Sequence, residues 1–312
     1  MKKSTAPRLS SRMSDNLWGW AFVLIPILGM IIFVLVPFIM SIYASFTSWP
    51  LGQPIGTAKW VGFRNYLEMF KSQLFWKSLG NTFFYMLGIP IGLAISLVLA
   101  SMMNRGTRSE VIFRVIYYAP VITSIVAISF VFQRMFMTDG GTINLFLQSL
   151  GVQNPPNWLS DPRFTKWVII IMTVWKGLGT SIILYIAGMQ GISTSYYEAA
   201  KIDGAGWFYT FRKITFPLLA PVTFYLIVTS VIGGAQMYVE PRLIFTNNGP
   251  ANSTFTTVMH LYDYTFKNGK AGYGSAVAVV LGIIVFTATA IQFYINGRGE
   301  RIEKHQNAKA DR

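Results

Sequence analysis

The sequence predicts an all-α integral membrane protein with six transmembrane helices, on three observations. Of 312 residues, 53% are hydrophobic and only 12% are charged, about half the charged share of a soluble domain. The charges are bunched into short segments that alternate with long uncharged stretches. Those stretches reach the ~20 residues a helix needs to cross a hydrocarbon core of about 30 Å.

Taken in order, the spans are expected at Leu17–Phe46, Leu79–Met103, Val111–Met135, Trp167–Met189, Pro217–Tyr238 and Ser275–Ile295. The first is longer than a bilayer requires, and Pro26 and Pro37 predict a kink or a tilt. Its basic start, with Lys2, Lys3, Arg8 and Arg12, superficially resembles a signal peptide. The apolar run that follows is far longer than the ~7–15 residues of such a leader, so it reads as an uncleaved span. Pro37 and Pro90 are tolerated in lipid because neighbouring helices satisfy the freed backbone groups. Gly88 and Gly92 form a G-x-x-x-G pair, read as helix packing. The expected organisation is a tail over 1–16, a transmembrane domain over 17–296 and a second tail over 297–312.

Orientation follows from the connections. One side receives both tails, the turn with Arg105 and Arg108, and the loop with Lys201, Arg212 and Lys213. The second tail adds Arg298, Arg301, Lys304, Lys309 and Arg312. This bias predicts that both termini are cytoplasmic. Trp18, Trp20, Trp49, Trp76 and Trp167 fall near span ends, where indole rings favour the interface.

Composition also excludes functions. The net charge of +14 is not arranged as a basic stripe interleaved with stacking aromatics, so lipid rather than nucleic acid is the expected contact. There is no Cys, and the histidines are His260 and His305, which leaves no disulfide framework and little for a metal. No H-E-x-x-H and no G-x-x-x-x-G-K-[ST] loop occurs, so neither a zinc hydrolase nor an ATP-binding chain is indicated. An ion-coupled secondary transporter or channel is the competing reading. Such proteins carry ionisable groups in their spans, and no Asp or Glu lies in any expected span.

The most informative segment is the cytoplasmic loop over 191–216. Ser195 and Glu198 fit an S-x-x-E capping box that opens a short helix. Gly204 and Gly206 break it, a second short helical run follows, and Pro217 opens the fifth span. Glu198, Ala199, Ala200, Gly204, Ile214 and Pro217 match, at the right spacing, the Glu-Ala-Ala motif of the permeases of binding-protein-dependent ABC importers. Phe216 replaces the usual Leu. The sequence resembles that family, and the external Thr246-Asn247-Asn248-Gly249-Pro250 turn is similar to its carbohydrate branch.

The resemblance implies a type I ABC importer permease fold in the bacterial inner membrane. It implies a non-catalytic subunit that pairs with a second permease, two ATPase subunits and an extracytoplasmic solute-binding protein. ATP and Mg would be held by the ATPases, with no cofactor in this chain. It also implies that Glu198, Ala199, Ala200, Asp203, Gly204 and Gly206 belong to a coupling helix that docks on an ATPase.

A substrate pathway is expected on two spans. Lys176 lies nine residues past Trp167, about 13 Å down the helix, where a charge normally faces the bundle interior or a wet cavity. Thr173, Gly177 and Thr180 surround it, and by spacing the resemblance places Lys176, Gly177 and Thr180 where the related maltose permease lines its sugar site. Alternatively, Lys176 snorkels to an interface or pairs with a partner subunit. Ser230, Gly233, Gly234, Gln236 and Met237 give a second surface on the fifth span, where ordinary packing explains the glycines equally well.

Overall fold

A computed structural model describes residues 11–103 and 109–310, and its secondary structure is helical, with no strand among the described residues. The turn with Arg105 and Arg108 and the first ten residues of the N-terminal tail lie outside the described residues.

Four helices are long and apolar enough to cross a membrane, and six spans result if two sharply bent pairs are each counted as one. The first apolar stretch forms α1 (Ser11–Met30) and α2 (Val36–Ser45), joined by a π-helical turn over Ile31–Leu35. Pro37 has no N–H for the carbonyl four residues back, and the π turn rearranges the ladder just before it. Outside the bundle, α3 (Arg64–Lys71) leads into α4 (Gln73–Tyr85) and α5 (Gly88–Met103), which together form the second span. The turn between them lies four residues before Pro90, for the same reason.

The third span departs from expectation. Instead of one helix over Val111–Met135, α6 (Ser109–Ile122) and α7 (Ile125–Met135) meet at a 106° bend. Pro120 sits in the last turn of α6, and Ser124 is extended (φ −55°, ψ 130°). A helix end within a bilayer leaves carbonyls that must be paired. Thr123 Oγ1 donates to Ala119 O (2.7 Å), and Lys176 Nζ donates to Pro120 O (3.3 Å) and Val121 O (3.2 Å). The lysine is thus also a cation at the negative end of a helix dipole.

After α8 (Thr142–Ser149), α9 (Thr165–Gln190) is an unbroken helix of 26 residues. The cytoplasmic loop of the sequence reading forms α10 (Thr194–Ile202) and α11 (Trp207–Thr210). A π turn over Phe211–Thr215 and α12 (Phe216–Leu218) precede α13 (Ala220–Ala235). The fifth span, expected over Pro217–Tyr238, is bent by 63° at Leu219 and its helix ends at Ala235. Pro221 denies the carbonyl of Pro217 its partner, and Gly233 and Gly234 weaken the other end. Two short helices, α14 (Val239–Ile244) and α15 (Thr257–Tyr262), follow before α16 (Ala271–Ala310), whose apolar part ends at Gly297.

The core centres on α9. Leu178, Ile182, Tyr185 and Ile186 pack with Leu93 and Leu97 of α5 and Leu226 of α13. Val168, Ile169 and Met172 pack with Ile128 and Phe132 of α7 and Ile244 of α14. Glycines set the approach distances, as small residues do between helices in lipid. A Cβ on Gly179 would lie 2.2 Å from Tyr117 O, and one on Gly188 would lie 2.8 Å from Leu219 Cδ2. Gly88 meets Ile170 and Val174 in the packing role read from the sequence.

At the end of the bundle opposite α10, polar groups close the structure. Asn81 Nδ2 donates to Asn252 O and Phe255 O (both 3.0 Å), and Thr165 Oγ1 and Ser253 Oγ are 2.9 Å apart. His260 is fully buried, 3.0 Å from the Tyr273 hydroxyl and stacked on Tyr264. Burial pushes its imidazole down to about 4, against the opposing pull of the Asp263 carboxylate.

Two outcomes are expected. Lys176→Met strands two carbonyls in the bundle and should cost about 2 kcal/mol, seen as a lower unfolding temperature in detergent, with Lys176→Arg losing less. Equal midpoints for all three proteins would mean that the carbonyls have other partners. For His260, the folded state keeps the ring neutral down to about pH 4, whereas the unfolded chain takes up a proton near 6.5. Its contribution is therefore full above pH 6.5 and is lost as pH falls towards 4. A His260→Gln variant should show a flatter stability profile across that window, and an identical slope would assign the acid sensitivity to other groups.

Candidate functional site: a bundle cavity and a helical foot

Two features lie along α9, one beside its middle turns and one just past its C-terminus. The feature past the C-terminus, a helical foot, is closely determined by its sequence. Ser193, rather than Ser195, is the N-cap of α10: its Oγ accepts from the Ser195 N–H at 3.4 Å. The expected capping box is therefore shifted, because Ser193 is the last residue with extended ψ (134°). Glu198 is exposed, and no bond from it to the first turn forms among the described residues.

Gly204 ends α10 in the left-handed region, φ +71°. Its N–H bonds Lys201 O (3.2 Å), and the N–H of Ala205 bonds Ala200 O (2.9 Å). This paired closure defines a Schellman motif, which needs glycine at that position because a Cβ strains the backbone. Gly206 then caps α11 in extended geometry. The turn is fixed from both sides: Ala200 is buried, and the hydroxyls of Tyr197 and Thr215 are 3.2 Å apart.

The foot presents apolar surface outward. Tyr196, Ile202, Phe208 and Tyr209 are each more than half exposed. Beside them, Ala199, Ala200, Asp203, Gly204, Gly206 and Lys213 line an open cavity of about 720 Å³. Of the six residues that the resemblance assigns to the coupling helix, all but Glu198 border this cavity.

The second feature is a cavity of about 470 Å³ between α5, α9 and α13. Thr173, Gly177 and Ser181 form the α9 wall, and Ser230, Gly233 and Gly234 form the α13 wall. Gly88, Gly92 and Ser96 contribute from α5, and Tyr85, Gln236, Met237, Tyr238 and Glu240 complete the lining. Ser96 Oγ is buried with no partner among the described residues, an unmet hydrogen-bonding group on the wall. Hydroxyls, an amide, exposed glycine backbone and two tyrosine rings suit a polyhydroxylated solute better than an apolar one.

The structure brings together Thr173, Gly177, Ser230, Gly233, Gly234, Gln236 and Met237 from the pathway expected by sequence. It does not bring Lys176 or Thr180 there. Lys176 is turned to α6, where Nζ meets the two carbonyls, and Thr180 is exposed outside this cavity. Sequence reasoning missed Tyr85, Ser96, Ser181 and Glu240. Ser96 and Ser181 are polar residues inside apolar spans, a signal that was available. Glu240 lies two residues beyond the expected end of its span, and only the turn after Ala235 returns it to the cavity.

Comparison with known proteins fits this arrangement. Residues 88–300, which include the foot and most of the cavity wall, match the family described as binding-protein-dependent transport system inner membrane component. The chain is 34% identical over 297 residues to the probable ABC transporter permease protein YesP of Bacillus subtilis, covering 94% of this chain and 93% of that one. It is also 34% identical to the lactose transport system permease protein LacF of Rhizobium radiobacter, covering 93% and 98%. The crystal structure of a bacterial alginate ABC transporter, in complex with an alginate pentasaccharide-bound periplasmic protein, shares the fold. The TM-score there is 0.80 at 20% identity, over 94% of this chain and 98% of that chain. The chain belongs to the inner-membrane permease components of binding-protein-dependent ABC importers, a family of multi-pass transport subunits.

Proposed function

We propose that this chain is one of two permease subunits of an ATP-driven importer for a sugar or sugar-like solute. Both termini lie in the cytoplasm, the α10–α11 foot docks on an ATPase subunit, and a solute-binding protein delivers cargo to the opposite face. ATP and Mg belong to the two ATPase subunits. Several relatives carry sugar names, among them the lactose permease LacF and an arabinooligosaccharide permease of Bacillus subtilis, AraP. The positive charge of the loops supports the orientation.

One observation carries the reading. The same unbroken helix, α9, supplies a wall of the polar cavity at Thr173 and Gly177 and leads, three residues past its end, into the foot. A push on the foot therefore reaches the cavity through a rigid element, as in rigid-body switching. Glu198 and Asp203 are exposed acidic groups on the foot, placed to meet basic groups of an ATPase. Thr173, Gly177, Ser230, Gly233, Gly234 and Met237 form this chain's share of the solute path.

The test is ATP-dependent uptake by the complete transporter in vesicles. Gly204→Asp strains the left-handed turn, and Glu198→Lys reverses an exposed charge. Each should abolish most uptake while assembly in the membrane is retained. Normal uptake in both variants would remove the coupling role. Uptake that survives ATP depletion and fails with the ion gradient would replace the reading with an ion-coupled carrier.

A further inference from the structure

Charge on the cavity wall is distributed differently from what the spans suggest. The one lysine deep in an apolar span is bonded to α6, and Glu240, from outside the spans, is among the residues lining the cavity. Glu240 is the second residue of α14, and the chain reaches it by turning at Gln236 (φ −96°, ψ 10°) immediately after α13. Thr256 Oγ1 holds that turn by donating to Met237 O (2.7 Å). Glu240 is half-buried and lines the cavity alongside Tyr238, Gln236 and Ser230.

No cation pairs with Glu240 among the described residues. Three other carboxylates in the connecting segments at this end are paired with cations. Glu68 faces Lys270 (3.5 Å), Asp161 binds Arg163 (2.6 Å), and Asp263 binds Lys267 (3.0 Å) and Arg242. Arg242, two residues from Glu240, is engaged by Asp263, by Asn248 Oδ1 (2.9 Å) and by the face of Tyr238. Lys176 is engaged by Pro120 O and Val121 O. Among the described residues, Glu240 is the only Asp, Glu, Lys, Arg or His on the cavity wall.

An ionised carboxylate offers only acceptors, about four lone-pair sites on two oxygens. Adjacent sugar hydroxyls can donate to both oxygens at once, whereas a second carboxylate or a phosphate offers no donor and repels it. We propose that Glu240 determines specificity in the membrane step, accepting hydrogen bonds from the hydroxyls of a neutral saccharide and excluding acidic ones. The inference rests on the transport reading above and names the solute class for the same cavity: neutral oligosaccharides rather than uronates or sugar phosphates.

Because the chain has no native cysteine, its cavity can be probed with a single thiol. In the assembled transporter in membrane vesicles, Gln236→Cys is labelled in parallel with two methanethiosulfonates of similar size, one trimethylammonium and one sulfonate. Labelling is read from the mass of this chain. The cationic-to-anionic rate ratio should fall at least about fivefold when Glu240→Gln is added. An unchanged ratio, faster anionic labelling with Glu240 in place, or no labelling by either reagent would overturn the proposal.

A neutral methanethiosulfonate then reports occupancy. Lactose should slow labelling more than its acid, lactobionate, at equal concentration, and Glu240→Gln should narrow that difference. Equal protection by both sugars, or greater protection by lactobionate, would also overturn it. These readouts need no ATP, so loss of ATP-dependent uptake strikes the transport reading, and a failed labelling ratio strikes only the role of Glu240.

Discussion

Inside a bilayer a backbone carbonyl has no water to pair with, and the bundle is arranged around that constraint. A straight helix meets it without help. A broken one meets it only if other groups supply donors, and the break at Thr123–Ser124 shows what this takes. Three carbonyls at the end of α6 are met by side chains, one from Thr123 and two from Lys176 on α9. The lysine ammonium is costly in lipid by itself. Its cost and that of the carbonyls offset each other, which is why the two occur at one level of the bundle.

That pairing has a consequence for the cavity. With Lys176 committed to α6, polarity on the α9 wall comes from Thr173, Ser181 and the bare backbone at Gly177. Nothing bulky lies at Gly177, where an added Cβ would meet no atom within 4 Å. Gly179 and Gly188 on the same helix serve the opposite purpose, since a Cβ at either would collide with α6 or α12–α13. One helix thus uses glycine to open a space and also to close contacts. The close contacts pack α9 tightly against its neighbours, directly above the foot beyond its end.

Much of this was legible in the sequence, and the limits have identifiable causes. The six apolar stretches and the foot motif follow from composition and spacing, because lipid and the Schellman turn tolerate few alternatives. Seven of the residues expected on two separate spans line the cavity, because small and polar side chains are conspicuous in apolar runs. The 106° bend was not legible. Pro120 marks a weak point, but Pro26, Pro37 and Pro90 are accommodated without a comparable break, and the carbonyls freed at Pro120 are met by a lysine 56 residues away. Ser193 and Ser195 are both plausible caps by type, and only the backbone angle chooses. Glu240 was invisible because its position depends on where α13 stops, and helix ends are set by local geometry that periodicity does not resolve.

The end of the bundle opposite the foot shows a related constraint in its backbone. Asn247, Asn248, Ala251 and Asn252 all lie in the left-handed region, with Gly249 between them. Such conformations cost an L-residue about 1–2 kcal/mol each, less for asparagine. A loop of this kind persists only when its surroundings fix it. Here Asn81 binds two of its carbonyls from α4, Thr82 accepts from Thr257 N–H (3.0 Å), and Thr165 meets Ser253 from α9. These buried bonds tie the loop to the second and fourth spans, the same two that form the cavity's α5 and α9 walls.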